Sequence, residues 1–67
     1  MSAITFRRIV QELEDNYGWG DEELANRVFV HRTTISRIRT GGITDPSYTV
    51  GAALHRIYDK MKEDRRK

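Results

Sequence analysis

The sequence predicts an all-α protein, a compact domain of four to five helices. Apolar residues recur at helical spacing in four stretches, and no stretch alternates with the period of two that a strand requires. Glycines follow the first and third stretches, where they act as helix stops. The chain has 67 residues against roughly 100 to 200 for a typical domain, so it has room for one small domain and a multidomain enzyme is excluded.

The first helix is expected from Thr5 to Tyr17, with Ser2 or Thr5 as its N-cap. Gly18 follows and can adopt the left-handed conformation that ends a helix. Apolar residues fall on one face of this helix, at Phe6, Ile9, Val10, Leu13 and Tyr17. This face is therefore the one expected to enter the core.

A second, shorter helix is expected from about Gly20 to Phe29. Its first turn is acidic, which the helix dipole favours, and its inward face is apolar. The acids are Asp21, Glu22 and Glu23, and the inward residues are Leu24, Ala25 and Val28. A third helix is expected from Arg32 to Thr40, where Ile35 and Ile38 point inward and the pair Gly41-Gly42 closes the helix.

A last helix starts near Asp45-Pro46, with proline in the first turn, or immediately after Ser47 as the cap. Its apolar positions are Val50, Leu54, Ile57 and Met61, and it is expected to end near Lys62. Residues 63–67 are charged and are expected to form a disordered tail. The folded domain is therefore predicted to span residues 1–62.

Charge is segregated along the chain although the net charge is only +2. From Glu12 to Glu23 there are six acids and no base, and from Leu24 to Thr44 there are four arginines and no acid. Nine of the twelve basic residues are arginine, whose planar guanidinium suits phosphates and guanine edges. The acid-free, arginine-rich stretch from Leu24 to Thr44 favours a nucleic-acid partner over a merely solvated charge run.

Residues 21–40 have the spacing of a helix-turn-helix unit. Two short helices joined by so tight a turn must cross steeply, and Ala25 is the small residue that close crossing needs. The second helix of such a unit can enter the DNA major groove. With Ile35 and Ile38 inward, its outward arc carries Thr33, Ser36, Arg37 and Thr40, with Arg32 reaching from the first turn.

The stretch from Leu24 to Gly41, LANRVFVHRTTISRIRTG, resembles the helix-turn-helix signature of the Cro and phage-repressor-like (xenobiotic-response-element) family. The resemblance is good from Trp19 to Gly42 and extends to the flanking helices only in outline. It implies a lambda-repressor-like fold and a regulator of transcription that binds double-stranded DNA. Members are mostly homodimeric repressors or autoregulators that bind short palindromes.

The resemblance also implies roles for individual residues. Base reading falls to Arg32, Thr33, Ser36 and Arg37. Phosphate contacts are expected from the start of the second helix, from the loop after the third and from nearby side chains, at Gly20, Asp21, Arg27, Thr34, Arg39, Thr40, Gly41, Gly42 and Thr44. The dimer surface is expected among large side chains that so small a body leaves exposed, with Tyr48, Tyr58 and Met61 as candidates.

Three residues depart from the family pattern. Phe29 stands where the family usually has the turn glycine, so either a bulky residue accepts positive φ or the turn differs. Asp21 replaces an uncharged phosphate donor, so that contact is lost or passes to backbone N–H groups. Arg39 replaces a commonly acidic residue and is expected either to pair with acids of the first helix, such as Glu12, or to contact phosphate.

Other functional classes are less well supported. Cysteine is absent, so disulfides, thiolate zinc sites and a cysteine nucleophile are excluded. His31 and His55 lack partners for a metal site, and His31 is better explained as a helix cap. No grouping indicates catalysis or a cofactor. Trp19 is expected to fill a gap in the core, with contact to a partner as the alternative.

The sequence thus predicts a cytoplasmic, non-enzymatic homodimer that binds double-stranded DNA as a small phage or mobile-element repressor. No cofactor or small-molecule ligand is expected. Membrane association is not expected either, because no apolar run approaches the roughly 20 residues of a membrane helix. Two alternatives stay open. One is an antitoxin-like or assembly module whose main partner is a protein bound along the last helix. The other is an architectural or recombination accessory that bends DNA.

Overall fold

The computed structural model describes residues 5–66, which form four α-helices. These are α1 (Phe6–Tyr17), α2 (Asp21–Arg27), α3 (Arg32–Thr40) and α4 (Tyr48–Arg66). No strand and no fifth helix occur within this range, so the all-α prediction is confirmed with four helices. Ser2, one of the two candidate caps for α1, lies outside the described residues.

Both ends of α1 follow the sequence prediction. The hydroxyl of Thr5 accepts a hydrogen bond from the backbone N–H of Arg8 at 3.2 Å, which makes Thr5 the N-cap. Gly18 adopts φ 71°, and the N–H of Trp19 donates to the carbonyl of Glu14 at 3.1 Å. This left-handed closure turns the chain sharply toward α2.

The turn between α2 and α3 departs from the usual backbone preferences. α2 ends at Arg27, earlier than expected, and Phe29 adopts φ 58°. Of the two alternatives for this turn, the structure therefore has the bulky residue at positive φ. The carbonyl of Ala25 accepts from the N–H of Val30 at 3.0 Å, which closes the turn tightly. α3 then starts with His31 as its N-cap, as predicted.

A single core joins the four helices. α1 contacts the other three helices, α3 packs on both α1 and α2, and α4 packs on α1. Buried side chains come from every helix: Ile9, Val10 and Leu13, then Leu24, Ala25 and Val28, then Ile35 and Ile38, and finally Leu54, Tyr58 and Met61. Because α1 is central, it fixes the position of α3 relative to the rest of the molecule.

α4 is longer than the sequence predicts. It begins at Tyr48, and the carbonyl of Ser47 accepts from the N–H of Gly51 at 2.9 Å, which agrees with the start at Ser47. It continues to Arg66, so the predicted end near Lys62 and the predicted disorder of residues 63–66 are wrong, while Lys67 lies outside the described residues. The residues after Met61 are good helix formers, and the buried Met61 side chain anchors the helix just before them.

Two of the three candidates for the dimer surface are buried in the core, so that prediction is wrong for Tyr58 and Met61. Tyr58 and Met61 follow Leu54 by four and seven residues, which places them on the same inward face of α4. The hydroxyl of Tyr58 donates to Glu12 at 3.2 Å, and burial together with this carboxylate raises the pKa of Tyr58. Tyr48 is 89% exposed and stays available for contact.

Candidate functional site

The outward face of α3 is cationic, and the core holds it in a fixed orientation. Ile35 and Ile38 are fully buried and lock one side of α3 against α1 and α2. The opposite side carries arginine and small hydroxyl residues and no acid. Arg32, Thr33, Arg37 and Thr40 are exposed, while Ser36 and Thr34 are half-buried. The four predicted base-reading residues therefore lie on one helix of fixed orientation.

The first turn of α3 is held by side-chain contacts. Nδ1 of His31 accepts from the N–H of Thr33 at 3.2 Å and lies 2.9 Å from the Thr33 hydroxyl. A guanidinium nitrogen of Arg32 lies 3.3 Å from a carboxylate oxygen of Glu22, and both side chains are largely exposed. Exposed ion pairs of this kind contribute little stability, so Arg32 can exchange Glu22 for another anion.

Arg37 has a different environment. Its side chain is exposed, and among the described residues no carboxylate lies within ion-pair distance of it. Its backbone carbonyl accepts from the N–H of Ile43 at 3.1 Å, which ties the following loop to α3. The Thr40 hydroxyl donates to the Ser36 carbonyl at 2.9 Å, one turn further along. Arg37 thus presents a free positive charge from a well-ordered helix.

Several candidate phosphate contacts surround this face at exposed backbone positions. Gly41 closes α3 with φ 91°, a left-handed conformation that favours glycine. Gly20 precedes α2 as its N-cap, and nothing lies within 4 Å of where a Cβ on Gly20 would be. Apart from Arg27, the exposed members of the predicted set are Gly20, Thr40, Gly41, Gly42 and Thr44. These positions leave room for an anion to approach the backbone.

Arg39 and Asp21, both predicted to contact phosphate, are instead engaged with each other. Arg39 donates from Nε and Nη2 to the two carboxylate oxygens of Asp21, each at 3.0 Å. Its Nε also lies 3.9 Å from Glu14. Of the acids of α1, Arg39 therefore lies within ion-pair distance of Glu14 rather than Glu12, because Glu12 is held by Arg8 at 2.8 Å and by Tyr58. The Asp21 pair fixes the C-terminal half of α3 to the start of α2.

Glu14 completes this cluster, and its pKa is strongly shifted. Its side chain is only 11% exposed, and its Oε2 atom is buried without a hydrogen-bond partner. Burial, with the neighbouring carboxylate of Asp21 as the next cause, raises the pKa of Glu14 from 4.5 to about 7. Hydrogen bonding from Arg39 and then Glu14 lowers the pKa of Asp21. The cluster therefore holds a proton on Glu14 at mildly acidic pH.

Arg27, the remaining phosphate candidate, has contacts on another side of the molecule. Its Nε lies 3.1 Å from Glu23, and its guanidinium lies 4.3 Å from the centre of the Trp19 ring. Trp19 is half-buried against the core, as expected, and it also stacks on Tyr17 at 4.3 Å between ring centres. Apolar spacing predicts Tyr17 on the core face of α1, but its side chain is exposed and forms this aromatic group instead. The signal in the sequence is the pair of aromatic residues on either side of Gly18.

Comparison of the chain with models of protein families, with curated proteins and with solved structures finds no match. Among residues 5–66, no three side chains form a group that could hold a metal ion. None of the four helices in that range is both long and apolar enough to cross a membrane. Assignment of a function therefore depends on the geometry of this chain's own residues.

Proposed function

We propose that this protein is a sequence-specific regulator of transcription that binds double-stranded DNA, with α2 and α3 as a helix-turn-helix and α3 as the recognition helix. The observation that supports this best is the combination on α3 of a buried apolar side and an exposed, acid-free side with Arg37, which has no ion pair within the described part of the chain. An α-helix with side chains is about 10–12 Å wide, which matches the major groove of B-DNA. Recognition without catalysis is the function that such a surface supports.

In this proposal the exposed residues of α3 make different contributions to the recognition of bases. Arg37 donates two hydrogen bonds to a guanine edge, the commonest specific contact between protein and DNA. Thr33 and Ser36 are short enough to let the helix approach the bases closely. Arg32 exchanges its exposed partner Glu22 for DNA, which replaces a weak ion pair by a stronger interaction with a phosphate or a base.

Phosphates are bound by the elements that flank α3. At one end, Gly42 and Thr44 supply backbone N–H groups and Thr44 a hydroxyl, whereas the N–H groups of Gly41 and Ile43 and the Thr40 hydroxyl already donate within the chain. At the other end, Gly20 supplies its N–H and Thr34 its hydroxyl. Asp21 and Arg39 serve a different purpose, because their mutual pair neutralises Asp21 and sets the angle between α2 and α3. Neutralisation matters here because an unpaired Asp21 would repel the backbone of DNA.

The functional unit is a homodimer on a short palindrome. A helix of nine residues contacts only a few base pairs, so specificity requires two copies of α3, about 34 Å apart on one face of the duplex. Tyr48, which is 89% exposed at the start of α4, is the remaining candidate for the contact between copies. A dimer bound across a promoter would block transcription, as in a small cytoplasmic repressor of the phage or mobile-element kind.

The test is selection of bound sequences from random duplex DNA, followed by substitution of Arg37. The selected sites should contain two half-sites centred about 10–10.5 base pairs apart. Arg37→Ala should weaken binding to the selected site by about 1–3 kcal/mol and relax the preference at one base pair of each half-site. Binding to random DNA should weaken much less.

Arg7→Ala is the matched control, since Arg7 is an exposed arginine on α1 and its loss changes the net charge equally. It should lower affinity for selected and random DNA by the same small factor. Circular dichroism must show both variants folded. An equal loss of specific and random binding in Arg37→Ala would exclude base reading by Arg37. Failure to select any sequence would exclude specific recognition, and strong bending of DNA without selection would favour an architectural protein.

A further inference from the structure

A concave surface lies away from the outward face of α3, between the end of α1, the turn before α3 and the last helix. We name it the aromatic groove. It has a volume of about 490 Å³, within the range of about 300–1,000 Å³ typical of binding pockets. Its apolar walls are Tyr17, Trp19, Phe29 and Ile57, and its basic rim is Arg27, Arg56 and Lys60. None of the predicted base-reading residues lines it.

Phe29 is the feature of this groove that folding does not explain. Its side chain is 93% exposed, so it adds nothing to the core. Its backbone is left-handed at φ 58°, a conformation that is unfavourable for a residue with a β-carbon. Glycine or asparagine would satisfy the turn at lower cost and without an exposed apolar ring. Strained backbone and exposed apolar surface both concentrate at binding sites.

The opposite wall of the groove is already rigid. Tyr17 stacks on Trp19 with an angle of 17° between the ring planes, and the guanidinium of Arg27 lies over the Trp19 ring. These contacts occupy the Trp19 ring, so it is not free to stack on a nucleic-acid base. A preorganised apolar wall of this kind favours an aliphatic or aromatic side chain as the bound group.

The charge of the rim specifies the rest of the ligand. Arg56 and Lys60 lie one turn apart on α4, both exposed, and within the described part of the chain neither is in an ion pair. Arg27 adds a third positive charge, although it also contacts Glu23. Asp64 is the one acid among the residues that line the groove. The groove therefore complements an anionic segment with a large apolar side chain.

We propose that the aromatic groove binds a short segment of a partner protein in which acidic residues flank one large apolar side chain. The apolar side chain lies between Phe29 and the Tyr17–Trp19 stack, and the acids contact Arg56 and Lys60. Since the groove and the outward face of α3 share no residues, the two can be occupied together. The groove would then link this protein to a second one whether or not α3 binds DNA.

The test uses the full chain and a phage-displayed library of random peptides at near-physiological ionic strength. Enriched peptides should carry aspartate or glutamate on both sides of a leucine, phenylalanine or tryptophan. A synthetic copy of the best peptide should change the fluorescence of Trp19, the only tryptophan in the chain. Phe29→Gly removes the ring in a way that the backbone favours, and it should weaken this peptide at least about tenfold.

Lys60→Glu should also weaken the peptide by about tenfold, because it places a like charge against the acids. Arg7→Glu is the control with the same change of charge outside the groove, and it should leave peptide affinity within about twofold. Thermal melts establish that each variant is folded. No enrichment over the unselected library, enrichment of peptides without acids, or peptide binding unaffected by Phe29→Gly would each overturn the proposal.

Two other occupants are distinguished in the same experiment. If duplex or single-stranded DNA displaces the peptide and is weakened by Phe29→Gly, the groove binds nucleic acid and the proposal is overturned. If Phe29→Gly and Lys60→Glu dissociate a homodimer in sedimentation, the occupant is a second copy and the proposal is likewise overturned. Peptide binding that survives saturation of α3 with a selected DNA site supports it. If DNA selection fails, the peptide enrichment and the effects of Phe29→Gly and Lys60→Glu still test the groove by themselves.

Discussion

Replacement of Glu14 by glutamine should make the protein more stable at neutral and alkaline pH. Glu14 is almost fully buried, and burial with the nearby Asp21 carboxylate raises its pKa from 4.5 to about 7. The folded state therefore holds a proton that the unfolded state releases between these two pH values. By linkage, the free energy of unfolding falls as the pH rises from about 4.5 to about 7. Glutamine keeps a neutral group of the same shape at every pH.

The magnitude follows from the raised pKa. A change from 4.5 to about 7 corresponds to at most about 3 kcal/mol at a pH above both values. The neighbouring Asp21 and Arg39 side chains are 23% and 36% exposed, so solvent screens part of their interaction with Glu14. We expect Glu14→Gln to raise the free energy of unfolding by about 1–2 kcal/mol at alkaline pH and to change it little near pH 5.

The assay is urea unfolding followed by circular dichroism at a series of pH values for both proteins. The difference between variant and parent isolates Glu14, because the other titrating groups contribute equally to both curves. The difference should grow as the pH rises through the window from about pH 5 to pH 7 and then level off. A constant difference across this window, or a variant that is less stable at alkaline pH, would show that Glu14 is ionised in the folded protein.

Four further outcomes are expected. Phe29→Gly should raise the free energy of unfolding by about 0.5–1 kcal/mol in thermal melts, since relief of the left-handed strain exceeds the entropy that glycine adds to the unfolded chain; a destabilised variant would place Phe29 in the core. Tyr58→Phe should lower the free energy of unfolding by about 0.5–1.5 kcal/mol through loss of the hydrogen bond to Glu12, and an unchanged thermal melt would refute that bond. Tyr48→Glu should weaken dimers measured by sedimentation without changing stability, and an unchanged dimer would contradict the proposed function. Affinity of the parent protein for the selected DNA site should fall linearly on a log–log plot against salt concentration, and a flat plot would likewise contradict the proposed function.

Local signals in the sequence were sufficient to place most helix ends. Thr5 caps α1, Gly18 ends it, His31 caps α3 and Gly41 ends it, each as expected. Such ends depend on one side chain or one backbone conformation, which a single residue type reveals. The end of α4 was misplaced because no glycine or proline stops that helix, and the charged residues after Met61 are themselves good helix formers.

Ion pairs between residues of different helices could not be predicted from such local signals. The sequence predicts either an acid of the first helix or phosphate as the partner of Arg39; the structure pairs it with Asp21, 18 residues away, and places Glu14 of α1 at 3.9 Å. Six acids lie between Glu12 and Glu23, and only the crossing of α3 over both helices brings Asp21 to 3.0 Å from Arg39. Long-range ion pairs depend on such crossing angles, which periodicity does not encode.

The sequence by itself determined the all-α class, the four helices and the acid-free outward face of α3, because apolar spacing dictates which side of each helix is buried. The tertiary structure alone decided that Tyr58 and Met61 fill the core rather than a dimer surface, since α4 packs on α1 and buries both side chains. It also decided that burial raises the pKa of Glu14 to about 7 and that Phe29 borders a groove. Burial and the distances between helices depend on how the helices pack together, and the sequence of a single helix does not determine either of them.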